Sequence, residues 1–161
     1  MEGAALFRKI LVPLDGSEHS QRALETSIEV AKKFNGELTL LHVFSVSVTP
    51  VVIPEPTTLN PTGVPIATSA EVSKMVDAAK AAGKKILEDA EEKAKELNIE
   101  VQTVLREGNT SQEILKTAKE GAFDLIVIGA IGIHSRIRDF LMGSVTEGVV
   151  KNAPCPVLVV K

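Results

Sequence analysis

Five short runs of mainly apolar residues recur along the chain. Four of them, 9–14 (KILVPL), 37–44 (ELTLLHVF), 123–129 (FDLIVIG) and 157–160 (VLVV), are close to continuous. Such runs fit strands covered on both faces, as in a parallel sheet. The fifth, 99–105, alternates Ile99, Val101, Thr103 and Leu105 and predicts a half-buried edge strand. Between the runs the apolar spacing changes to that of a helix. Leu24, Ile28, Ala31 and Phe34 predict an amphipathic helix over 18–34, with Ser17 as its N-cap and Asn35-Gly36 as its stop. Val72, Met75, Ala79, Ala82, Ile86, Ala90, Ala94 and Leu97 predict a long helix over 70–98, bent at Gly83, with a solvated face of mixed charge. Thr110 with Glu113, and Ser144 with Glu147, fit the S/T-x-x-E capping box and open two more helices, the last reaching about Asn152.

Strands alternating with helices imply an α/β fold: a doubly wound, five-stranded, mostly parallel sheet covered on both faces, with strand order 3-2-1-4-5. The 161 residues read as one domain, 1–161. Residues 45–69 stand apart, with five of the eight prolines, one charge at Glu55 and no regular period. This predicts a Pro-rich insertion that serves partner choice more than fold stability.

Composition narrows the function. Eighteen Lys and Arg against 21 Asp and Glu leave a net charge of −3, so nothing electrostatic favours nucleic acid or an anionic membrane as partner. Trp and Tyr are absent, which removes the usual base-stacking platform. No run approaches the ~18–20 apolar residues of a membrane span, and the first residues are too polar for a signal peptide, so the cytoplasm is the expected location. The single cysteine, Cys155, excludes an intramolecular disulfide and a multi-cysteine metal site; between two prolines it reads as an inert packed thiol.

In a doubly wound sheet, ligands sit beyond the C-terminal ends of the strands, where the strand order reverses. Two such ends carry unusual residues. The first run ends in Pro13-Leu14-Asp15-Gly16-Ser17. The fourth ends in Gly129-Ala130-Ile131-Gly132 and leads, ten residues on, to Gly143-Ser144-Val145-Thr146 at a helix start. Glycines admit a ligand close to the backbone, and a helix N-terminus offers unpaired N–H groups and a positive dipole end. His134, Ser135 and Arg136 form a candidate phosphate loop between them. The alternative is that Gly129 and Gly132 shape a tight turn and Ser144 only caps a helix. Asp15 has two readings as well, an acceptor for ribose hydroxyls or an exocyclic amine, or a turn aspartate before the first helix. His42 reads as a core histidine and His19 as solvent-facing. Neither a Walker lysine nor G-x-G-x-x-G is present, so a P-loop and a dinucleotide fingerprint are excluded.

These segments together resemble the universal stress protein family, in its adenine-nucleotide-binding branch. The resemblance rests on VPLDGS (12–17), LLHVF (40–44), EG-x-x-x-x-EIL (107–115) and the ending DLIVIGAIG with GSVTEGVVKNAPCPVLVVK. It implies an ATP (or AMP or ADP) site, with Mg2+ as a candidate companion and no metal ligand identified. Asp15 would stand near the adenosine and Val43 against the adenine. Gly129, Gly132, Gly143 and Ser144 would hold ribose and phosphates, with Pro13, Val145 and Thr146 as near neighbours. The family pattern is G-x2-G-x9-G-[S/T], whereas here ten residues, 133–142, separate Gly132 from Gly143. The resemblance also implies a homodimer paired through the last strand, 157–160. A regulatory stress-response protein is the first reading, and a ligand-free dimeric scaffold or a slow ATP hydrolase the alternatives.

Overall fold

The computed structural model describes residues 6–46, 69–132 and 142–161. The expected phosphate-loop residues His134, Ser135 and Arg136, and all but the ends of the Pro-rich stretch 45–69, lie outside them. The described elements run β1 (Lys9–Pro13), α1 (Glu18–Phe34), β2 (Glu37–Phe44), α2 (Ser69–Glu96), β3 (Val101–Glu107), α3 (Thr110–Glu120), β4 (Leu125–Gly129), α4 (Ser144–Asn152) and β5 (Val157–Val160). The sheet has the order β3-β2-β1-β4-β5, and every pairing in it is parallel.

Side chains that follow one another on a strand point to opposite faces, so continuous apolar runs feed two cores. Ile10 and Val12 of β1, Leu38 and Leu40 of β2, and Leu125 and Val127 of β4 pack under α1 and α2. Leu11, Leu41, Ile126 and Ile128 pack on the other face under α3 and α4. Ile10, Leu11, Leu40, Leu41 and Ile126 are wholly buried, each worth about 1.5–3 kcal/mol in removal from water.

Three local readings are corrected. The third strand is 101–107 rather than 99–105, because the end of α2 consumes Ile99. Asn98 turns left-handed (φ 58°) and the Ile99 amide donates back to the Ala94 carbonyl at 3.0 Å, so pairing starts only at Val101 opposite Leu38. The third helix is capped by Asn109, whose Oδ1 accepts from the Gln112 amide at 3.1 Å; Thr110 is already helical. The last helix has Gly143 at its N-cap, a residue with no side chain to cap with, and Glu147 pairs with Lys151 Nζ at 2.5 Å. That ammonium also holds the Glu147 carboxyl below the usual carboxylate range. The Ser17 N-cap of α1 and the edge position of β3 agree with the sequence reading. Gly83 does not break α2, which runs on from 69 to 96.

Candidate functional site

The strand order reverses between β1 and β4, whose neighbours β2 and β5 lie on opposite sides. Beyond their C-terminal ends lies a cleft of about 610 Å³. Its lining includes Pro13, Asp15, Val43, Gly129, Gly132, Gly143, Ser144, Val145 and Thr146, the described residues that the sequence singled out. They come from four places: the end of β1 and the turn after it, β2 through Val43, the end of β4 and the turn after it, and the start of α4. A smaller cleft, about 360 Å³, lies near the N-terminal strand ends by Lys9, Glu37, Arg106 and Glu120. It shares no residue with the first and opens beside the C-terminal end of α3, which repels anions rather than attracting them.

Asp15 does two things at once. Its Oδ1 accepts from the Ser17 amide at 3.0 Å, which is the turn role. Its Oδ2 lies so close to Gly132 that a Cβ there would be 2.6 Å from it, which brings the β1 and β4 turns together. The carboxylate therefore stands between the two turns, half-buried and inside the cleft.

The glycines that sequence treated alike differ in role. A Cβ on Gly129 would meet the backbone of His19 and Ser20 at 2.7–2.9 Å, so Gly129 lets α1 lie against β4. Its carbonyl accepts from Thr146 Oγ1 at 2.8 Å, which ties α4 to the same strand end. The Thr146 hydroxyl is thus committed inside the protein, with Thr146 buried. Gly143 donates its amide to the Ala130 carbonyl at 2.9 Å. What α4 offers the cleft is then the amides of Ser144, Val145 and Thr146, which helix geometry leaves without an intrahelical acceptor, at the positive end of the dipole.

Several lining residues carried no motif signal. Ser20 of α1, Met142, and Ala79, Ala82 and Ile86 of α2 reach the cleft, as do Ser17, Thr110 and Ile114, which lie inside quoted motifs but had no site role there. The two serines could have been found from their nearness to Asp15. The α2 residues could not, since only the packing of α2 over β2 and β3 brings them there. His42 is half-buried and lines the cleft rather than lying wholly in the core. His19 is not turned fully to solvent: its Nδ1 is buried and has no hydrogen-bond partner among the described residues. Burial and the nearby Asp124 raise the Cys155 thiol above its ordinary pKa, which disfavours the reactive thiolate. Among the described residues no helix is long and apolar enough to cross a membrane.

The model of the universal stress protein family matches residues 6–161. Universal stress protein YxiE of Bacillus subtilis is 36% identical over 156 residues, covering 97% of this chain and 100% of the relative. A universal stress protein of Methanocaldococcus jannaschii is 36% identical over 160 residues, covering 99% of this chain and 85% of the relative. Among solved structures, UspA from Lactobacillus plantarum superposes with a TM-score of 0.78 at 28% identity, covering 98% of this chain and 99% of that one. Two others share the fold alone. One is a universal stress protein in complex with cAMP (TM-score 0.65, 24% identity, 96% and 97% covered). The second is an Arabidopsis thaliana family member with AMP bound (TM-score 0.64, 23% identity, 95% and 90% covered).

Proposed function

The chain belongs to the universal stress protein family, and from that premise we propose that it is an adenine-nucleotide-binding regulatory protein of the stress response. The observation that carries this reading is the convergence, on one cleft of about 610 Å³, of the β1 turn, the β4 turn and an uncapped helix start. Small-molecule sites commonly occupy roughly 300–1,000 Å³, and the reversal of strand order is where such folds bind ligands. The nucleotide is ATP, or AMP or ADP, with Mg2+ as companion to the polyphosphates. Phosphates sit at the amides of Ser144 to Thr146, where dipole and unpaired N–H groups favour negative charge. The adenosine lies toward Asp15 and Val43, with the carboxylate accepting from ribose hydroxyls or an exocyclic amine. Two proteins of the same fold hold cAMP or AMP, which supports an adenine nucleotide in this one.

Calorimetric titration with AMP, ADP and ATP, with and without Mg2+, tests the proposal, and product analysis of the same samples reports any hydrolysis. Ligand at about 100 times its Kd adds ~2.7 kcal/mol to stability. At roughly 2–4 °C per kcal/mol for a domain of this size, the Tm should rise by about 5–11 °C. Asp15→Asn keeps an acceptor for the Ser17 amide but removes the charge. It should weaken all three nucleotides and leave the ligand-free Tm in place. No shift with any of them at millimolar concentration would leave the dimeric scaffold as the better reading.

A further inference from the structure

On one wall of the cleft, Leu14, Leu41 and His42 form a chain of contacts that ends on Gly83 of α2. His42, on β2, presents Nδ1 to the Leu14 carbonyl at 2.7 Å. A carbonyl only accepts, so Nδ1 carries the proton and Nε2 is the acceptor of the neutral ring. The Leu14 amide donates to the Leu41 carbonyl at 2.8 Å. Both polar groups of Leu14, the residue before Asp15, are therefore held from β2, one by backbone and one by the imidazole. The other side of the ring rests on α2. A Cβ at position 83 would lie 2.5 Å from His42 Cδ2 and 3.1 Å from Nε2. A glycine inside a helix costs about 1 kcal/mol relative to alanine, and here it does not interrupt α2. What it leaves is room for the imidazole and, on its flank, for Leu105 Cδ1, which that Cβ would meet at 2.9 Å. Gly83 itself is buried and does not line the cleft.

We propose that His42, seated in the slot left by Gly83, is a positioning residue for the cleft: it fixes the Leu14 carbonyl and, through it, the Asp15 carboxylate. The proposal rests on the nucleotide reading above. It makes α2 a support of the ligand-binding turn although Gly83 never touches the ligand. Leu14 is 5% exposed, and without the imidazole its carbonyl would lose the side-chain donor that holds it toward β2. The turn would move to find one, and Asp15 with it.

The test uses the full chain and AMP as the probe. Calorimetry gives Kd, thermal melting gives the ligand-free Tm, and long-range 1H–15N spectra report the His42 tautomer. The wild-type ring should show the Nδ1–H tautomer with slowed proton exchange. Gly83→Ala should weaken AMP about tenfold, the size of one lost hydrogen bond to a group that must stay in place. Its Tm should change little, because improved helix propensity offsets the crowding, while the Nδ1–H signal moves. His42→Leu should weaken AMP to a similar extent. His42→Asn places an amide N–H near the position of Nδ1 and should restore most of the affinity. In that shorter-side-chain background Gly83→Ala should cost little, a non-additivity that a merely structural glycine would not produce. If Gly83→Ala and His42→Leu bind AMP within about twofold of wild type, the difference is no more than ordinary additivity error and the positioning role is overturned alone. A wild type that binds no adenine nucleotide overturns the nucleotide reading and this proposal with it.

Discussion

Gly129 and Gly132 look interchangeable in a G-x-x-G motif, yet their surroundings differ in stiffness. At Gly129 a new Cβ would meet α1 backbone at 2.7–2.9 Å, and a helix cannot step aside for one methyl group. At Gly132, among the described residues, it would meet the Asp15 carboxylate, the end of a side chain. Gly129→Ala is therefore expected to destabilise the fold by about 1–3 kcal/mol, the usual cost of overpacking. Gly132→Ala should leave the ligand-free Tm near wild type and lower nucleotide affinity by displacing the carboxylate. Thermal melting of both variants with and without AMP checks the pair. An unchanged Tm for Gly129→Ala would refute the packing role.

The two helix starts near the cleft make an opposite pair at the level of elements. The first turn of α3 is closed by the Asn109 side chain, which accepts from the Gln112 amide and from Ser111 Oγ at 2.9 Å. The first turn of α4 has no such cap. Asn109→Ala should thus cost about 1 kcal/mol of stability. Ser144→Ala, although it alters a residue that the sequence marks as a cap, should stay within about 0.5 kcal/mol, as for an ordinary surface position. Urea denaturation of the ligand-free protein distinguishes them. A large loss for Ser144→Ala would mean that its hydroxyl, and not backbone amides alone, completes the start of α4. With AMP or ATP present, Ser144→Ala should reduce the stabilisation only in part, because the amides remain.

For the molecule as a whole, the sheet ends on β5, one of its two edges among the described residues. Its burial is incomplete: Leu158 is 37% exposed on the face that carries α1. An apolar edge with unpaired backbone groups is normally covered. We propose that a second copy covers it, strand 157–160 against strand 157–160, giving a homodimer. Light scattering at micromolar concentration should then give about twice the chain mass. Leu158→Lys, which places a charge on that edge, should shift the population to monomer. A wild type that scatters as a monomer at high micromolar concentration would rule the dimer out.

How much of this was legible in the sequence follows from the range of the forces involved. The alternation of helix and strand, the parallel sheet and its strand order could be read because apolar periodicity is local and β-α-β chirality admits few arrangements. The site residues on β1, β4 and the start of α4 could be read because glycine, proline and a helix start mark turns within a few positions of each other. The residues that depend on distant neighbours could not. Nothing near Gly83 in sequence shows that its missing Cβ makes room for His42, forty-one positions earlier. Nothing near Gly129 shows that α1 presses on it. The sequence by itself determined which elements form and which strand ends bear chemistry, because both follow from hydrogen bonding and burial within a few turns of chain. Only the tertiary structure decided which glycine is a seat for a helix, which yields to a carboxylate and which makes room for an imidazole, because close packing is set by whatever the fold brings to that point.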